Sequence, residues 1–302
     1  MADAKRDKVV DRRYDFLIMF DCVDGNPNGD PDFNNAPRTD PETFQGLVSN
    51  GSLKRKIRDF HYYKHSQGGK VEKGQDIFVL AGHALESRQR MSYDNLKIDP
   101  EKATKDDIAQ ARDWMCANFF DVRAFGAVMS TTAFNNGQVT GPVQITDARS
   151  VSRVLIKNHM ITRVAYTTQE KTDSHKSETE MGSKYTIPYG LYVAEGFVNP
   201  MLAADTGFTY ADLDALWEAI IHMFDLSRSA GRGRMSTRRL FVWEHADTLG
   251  NCQAFHLFEA VQVALKDDVL SPRVFTDYMI MVPEKWPAGV TFMDKTEQVE
   301  WD

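Results

Sequence analysis

The sequence has no apolar run of the roughly 18 residues that a membrane-crossing helix needs. Residues 1–13 are charged and carry no apolar core, so no secretory leader is expected there. No glycine follows Met1, so N-terminal lipidation is not expected either. Cysteine is scarce: Cys22, Cys116 and Cys252 are odd in number and far apart. They read as reduced thiols of a cytoplasmic protein rather than a disulfide framework. A basic excess is also missing, since 43 acidic residues face 36 basic ones and the net charge is −7. Taken as a sum, that argues against nucleic acid, because phosphate binding needs clustered Lys and Arg. No HExxH, GxSxG, P-loop or GxGxxG context is present, and no RNP1 aromatic motif. No repeat recurs at a solenoid period.

What is present is an ordinary globular composition, 42% hydrophobic and 26% charged. The 302 residues fit one elaborated domain or two smaller ones. The charge is unevenly spread. Residues 53–64, LKRKIRDFHYYK, carry five basic side chains and one acid. Residues 227–240, SRSAGRGRMSTRRL, carry five arginines and no acid. An acidic remainder keeps the chain soluble while leaving local basic surfaces.

Residues 14–23 alternate, with Phe16, Ile18, Phe20 and Cys22 on one side, and predict a first strand. Residues 24–41 form a long Asn/Asp/Gly/Pro loop, a length that usually carries function. Ser52 is the expected N-cap of a helix over 53–64. At 100° per residue, Leu53, Ile57 and Phe60 share one face. Lys54, Arg55, Arg58 and Tyr62 fall on another. That second face fits a solvated charged surface or a phosphate contact, and the pattern alone favours the solvated surface. Residues 65–76 read as loop. Thr104 with Asp107, and Thr209 with Asp212, have the spacing of capping boxes. The stripes Ile108, Ala111, Met115, Phe119 and Leu213, Leu216, Trp217, Ile220, Phe224 follow them. Residues 157–184 turn polar between two strand-like flanks, which predicts either a disordered loop or a protruding hairpin. Its few apolar residues are Met160, Ile161, Val164, Ala165 and Tyr166. Strands are expected again over 240–244 and 278–282. The order strand, helix, strands, helix, strand is that of an α+β, ferredoxin-like or RRM-like core with insertions. Without RNP1, RNA would be held by loops and helix edges rather than by stacking on the sheet.

Three constellations carry potential chemistry. Asp24, Asn26, Asn28 and Gly29 match the first half of an EF-hand loop, but Asn35 stands where a bidentate Glu is needed. Asp21, Asp24, Asp30 and Asp32 could hold Mg²⁺ for phosphodiester cleavage, or could simply cap local turns. His61 and His65 have zinc-compatible i, i+4 spacing without a Cys pair or HExxH. None of the three reads as a metal site. Gly231-Arg232-Gly233 would let arginines and backbone approach a phosphate.

The run DGNPNGDPDFNNAPRTDPETFQG, then SLKRKIRDF, resembles the start of the CRISPR type I-C Cascade backbone subunit, the Cas-seven (Cas7; Csd-two) family. DVRAFGAVM, GPVQITDARSVSR, SKYTIPYGLYVAEGFVNP and SAGRGRMSTRRLFVWEH continue the resemblance in order over most of the chain. The resemblance implies one elaborated domain over 1–302. Its parts would be an RRM-like palm, a helical insertion over 65–120 and a hairpin thumb over 154–188. It implies a non-catalytic protein with no cofactor or metal, which polymerises head to tail along the spacer of the guide RNA (crRNA) in antiviral defence. Target DNA would be met through the guide. The implied partners are further copies of the chain, Cas-five-type, Cas-eight-type and small Cascade subunits, and indirectly a Cas-three nuclease-helicase. By the same resemblance Ser52, Lys54, Arg55 and Arg58 would hold guide phosphates. Val128 and Met129 would lie near a base or sugar, and His159, Met160 and Ile161 would form the thumb's wedge. Arg228, Arg232 and Arg234 would add phosphate contacts.

Overall fold

A computed structural model describes residues 6–163 and 180–296. The elements in chain order are β1 (Tyr14–Gly25), β2 (Gln45–Val48), α1 (Asn50–His65), α2 (Leu85–Leu96), α3 (Lys105–Asn118) and α4 (Phe120–Phe125). Next come β3 (Gly126–Val128), β4 (Gln138–Thr140), β5 (Val143–Ile145), β6 (Ala148–Arg153), β7 (Lys157–Arg163) and β8 (Glu180–Val198). The chain continues with α5 (Pro200–Thr206), α6 (Tyr210–His222), β9 (Arg234–His245), α7 (Ala254–Ala260), β10 (Gln262–Leu265), β11 (Tyr278–Met281) and β12 (Val290–Asp294).

The architecture is mixed α and β around a central antiparallel sheet. Its strand order is β12-β9-β1-β8-β6-β2. β1 sits in the middle because it is apolar on both sides. Phe16, Ile18, Phe20 and Cys22 join one core cluster, and Leu17 and Met19 join another. Fully burying such side chains stabilises by about 1.5–3 kcal/mol each. On the first face α1 and α6 pack through Leu53, Ile57, Leu216 and Ile220. Trp217 meets Phe16 edge-on at 5.0 Å, and Phe20 stacks on Tyr192 at 5.3 Å. The second face is covered as well. Leu257 and Phe258 of α7, with Tyr278 of β11, lie over Leu191, Phe241 and Trp243. Packed side chains therefore cover both faces of the sheet.

β8 is the longest strand and does two jobs. Its later part pairs with β1, as far as Ile187 opposite Gly25. Its earlier part runs past that end of β1 and pairs with β7, from Thr186 opposite Lys157 to Glu180 opposite Arg163. The polar excursion is thus a hairpin stem over its described part, while Val164, Ala165 and Tyr166 lie outside the described residues. Residues of α3 and α4 with their flanking segments, Phe78, Met115, Phe119, Val122 and Met129, build a separate small core.

Two local expectations hold closely. Thr104–Asp107 and Thr209–Asp212 both form complete capping boxes. The start of α1 differs. Its N-cap is Ser49, and the Ser52 N–H donates to Ser49 Oγ at 3.3 Å. Tertiary acceptors make the earlier start possible. Asn28 Oδ1 accepts from Ser49 N and Oγ at 2.9 Å each, and Asp147 Oδ1 accepts from Asn50 N at 2.7 Å. Such partners, 21 and 97 residues distant, are invisible to local pattern. The stretch 65–76 also holds more than loop, a two-residue hairpin pairing Ser66–Gln67 with Lys70–Val71.

Candidate nucleic-acid interface

Four segments singled out in the sequence meet at the end of β1. They are the first loop, the start of α1, the β8 side of the hairpin and the Gly/Arg loop before β9. Together they wall a pocket of about 530 Å³. Among the described residues three basic side chains line it, Lys56, Lys184 and Arg232, and no acidic one. The rest of the lining is Asn, Ser, Gly, Pro and Tyr.

The first loop's asparagines explain why these segments converge. Asn26 N–H donates to Gly231 O at 2.9 Å, and its Nδ2 donates to Asn35 O at 2.7 Å. Asn28 anchors the start of α1, as described above. Asn34 Nδ2 reaches Ser183 Oγ on β8 at 3.4 Å. Gly233 of Gly231-Arg232-Gly233, with Gly25 opposite it, serves the chain itself. A Cβ on Gly25 would sit 1.8 Å from Arg232 O, and one on Gly233, at φ +65°, would sit 2.4 Å from Val23 O. The close approach expected of a phosphate is made here by β1.

The loop acids do not converge. Asp21 is buried, and its Oδ2 accepts from Arg238 at 2.8 Å and from Tyr189 at 3.2 Å. Asp30 accepts from Asp32 N at 3.2 Å and faces Arg38 at 3.5 Å. Asp24 takes a left-handed conformation, φ 48°, at the end of β1. A strand, not a helix, leads into this loop, so the EF-hand half-match lacks its frame. Among the described residues no group of three or more His, Cys, Asp or Glu could hold a metal ion. His61 is buried and stacks on Phe120 at 3.8 Å, while His65 pairs with Glu72 at 2.7 Å. Burial, with His65 adding repulsion, pushes His61 down to about 3.

The expected contact residues fall into separate places. Lys54 and Arg58 lie over the Phe125 ring at 5.3 and 5.2 Å. Arg58 also donates to the buried Asp121 carboxylate at 2.7 Å. Burial, then Arg58, pushes the Lys54 amine down. Arg55 pairs with Asp59 at 3.3 Å on the exposed side. Ser52 and Arg232 line the pocket. Arg228 is exposed beside Asp225 at 3.6 Å, and Arg234 is exposed. On the hairpin, Met160 and Ile161 are exposed, and His159 Nε2 meets Thr186 Oγ1 at 3.0 Å across it. Val128 is 61% exposed, but Met129 is fully buried in the small helical core. Burial separates that pair, so Val128 alone offers its side chain.

Lys56 was not among the expected contacts. It stands about 160° round α1 from Lys54, at 100° per residue, on the side of the core residues Leu53 and Ile57. A lysine on a buried face is a signal in itself, because Lys is almost never fully buried unless paired. Its Nζ donates to Ser52 Oγ at 3.0 Å. Burial, with Arg232 adding repulsion, pushes its amine down to about 8.

Among the described residues no helix is long and apolar enough to cross a membrane. The fold and the pocket define a mixed α and β protein, built on a central antiparallel sheet, with a cation-lined cleft made by four distant segments. The chain belongs to the CRISPR-associated protein Cas7 family, whose model matches residues 12–283. A curated relative, the CRISPR-associated protein Cas7 of Haloferax volcanii, is 25% identical over 228 residues. That match covers 69% of this chain and 64% of the relative, so the chain spans less than two thirds of the relative's length. Among solved structures, a chain of a "CRISPR RNA-guided surveillance complex, pre-nicking" is 14% identical with a TM-score of 0.48. The match covers 76% of this chain and 75% of that one. A chain of a second "CRISPR RNA-guided surveillance complex" is 15% identical with a TM-score of 0.44, covering 76% and 68%.

Proposed function

We propose that this chain is a non-catalytic, guide-RNA-binding backbone subunit of a type I-C CRISPR surveillance complex, of the Csd-two kind. The observation that carries this reading, beside family membership, is the convergence of four segments on a cleft lined, among the described residues, by three basic side chains and no acidic one. Cations that neutralise a phosphate backbone read no base, so one subunit serves any spacer. Head-to-tail contacts that do not close produce a helical filament. Bases left free along it pair with target DNA, and that pairing supplies the specificity.

In this reading residues 1–302 are one elaborated domain. The strand order β9-β1-β8-β6 with α1 and α6 on one face supports an RRM-like palm. Residues 65–120 are its helical insertion. The β7–β8 hairpin is the thumb within 154–188, with His159, Met160 and Ile161 wedging between bases. Ser52, Lys54, Arg55, Arg58, Arg228, Arg232 and Arg234 are the proposed phosphate contacts, with Val128 against a base or sugar. The proposed partners are crRNA, target DNA through the guide, other copies of the chain, and Cas-five-type, Cas-eight-type and small Cascade subunits in the cytoplasm. A Cas-three nuclease-helicase would join only indirectly.

A double Lys54→Ala, Arg55→Ala variant should bind guide RNA more weakly, with its log–log salt slope reduced by about 0.7 per lost phosphate contact. Titration of fluorescent RNA at several salt concentrations reads that slope. An unchanged slope would remove both residues from the interface.

A further inference from the structure

Lys56 is 3% exposed and yet lines the pocket. Its hydrogen-bond partner is a neutral hydroxyl, and among the described residues no carboxylate lies within ion-pair distance of it. A buried cation without an anion is costly, so the site is incomplete as the chain stands alone. The groups facing Lys56 leave that deficit in place. Arg232, from the loop before β9, and Arg55, on α1, repel its charge. Asp59 on α1 and Cys22 on β1 favour it from a distance. Cys22 is itself pushed up to about 12, chiefly by burial, so its thiol stays neutral and supplies no anion. Arg232 is held in place by Ser227, and Lys184 lines the pocket from the β8 side of the hairpin. The pocket's volume, about 530 Å³, is of the size that takes a small ligand, enough for a sugar–phosphate unit.

We propose that this pocket seats one backbone phosphate of the bound RNA against Lys56 and Arg232, and that seating it takes up a proton on Lys56. This rests on the RNA-binding reading and adds to it a named seat and a pH dependence. The sign follows from burial. Without ligand, Lys56 loses its charge as pH rises through about 8. A phosphate beside it favours the charged form. Binding therefore weakens as pH climbs through that range.

The test uses the full chain and a short oligocytidylate, whose bases do not titrate there. The wild type should lose about tenfold in affinity between about pH 7 and pH 9, as expected when a contact with a pKa near 8 must be protonated. Calorimetry in two buffers of different ionisation enthalpy should show proton uptake near pH 8. Lys56→Arg, which stays charged, should flatten the pH profile while keeping RNA binding. Lys56→Met should flatten it, weaken binding and raise thermal stability, because a buried charge is removed. Inorganic phosphate in place of the oligomer is the control arm. A pH dependence for phosphate with none for RNA would overturn the proposal. So would a flat wild-type profile with RNA still bound, and the RNA-binding reading would then survive. A wild type that binds no RNA at any pH would overturn both.

Discussion

Replacing Asp212 with alanine should lower the unfolding free energy by about 3–5 kcal/mol, the cost of leaving a buried arginine without its partner. Asp212 Oδ2 accepts from Arg123 Nε at 2.8 Å, and Oδ1 accepts from Arg123 Nη2 at 2.6 Å. Both side chains are buried, at 8% and 5% exposure. The same carboxylate closes the capping box of α6 through Thr209 N at 2.9 Å and Oγ1 at 3.0 Å. Arg123 reaches further, to Cys116 O at 2.8 Å and Gly74 O at 3.1 Å. The pair therefore joins α4, the end of α3 and the turn at Gly74 to the start of α6. Removing the arginine with it, as in Asp212→Leu with Arg123→Met, should recover much of the loss, because no buried charge is then left alone. Urea unfolding followed by circular dichroism measures both variants. A single-mutant loss below about 1 kcal/mol would show that the pair does not carry this junction.

The second large effect falls on function rather than stability. Gly25→Ala should cut RNA affinity roughly 100-fold, the equivalent of losing two charge-assisted contacts. The new methyl would lie 1.8 Å from Arg232 O and 2.7 Å from Gly233 N. Both are backbone atoms, so the Gly/Arg loop must retreat by more than an ångström. Retreat breaks the Asn26 N–H to Gly231 O bond and withdraws Arg232 from Lys56. The core residues of β1 lie further along the strand, so the fold should persist. Binding titrations beside a thermal melt separate the two. Undiminished affinity in a folded Gly25→Ala protein would contradict the placement of the RNA in this pocket.

Much of the sheet was legible in the sequence, because β1, α3 and α6 announce themselves by period and by capping residues. The Thr104 and Thr209 boxes are local, and local signals survive folding. The start of α1 was misjudged by three residues because its acceptors, Asn28 and Asp147, come from other parts of the chain. The pocket shows the same limit more sharply. The basic runs were visible, and so were the glycines and the asparagine loop. Their meeting point was not, since it depends on β8 overrunning β1 and on asparagine bridges between segments. Lys56 was hidden by its own neighbours. It belongs to a run of cations that reads as solvated, and only helical phase separates it from Lys54. Met129 is hidden for the converse reason, since its burial against Phe78, Met115 and Phe119 depends on segments distant in the sequence.

The most direct test of the central claim is size-resolved binding of the chain to labelled guide RNAs of increasing spacer length, with and without Mg²⁺. A non-catalytic backbone subunit should leave the RNA intact and add copies as the spacer lengthens, with affinity largely independent of spacer sequence. RNA cut in Mg²⁺ and spared in chelator would contradict the account and turn attention to the acids of the first loop.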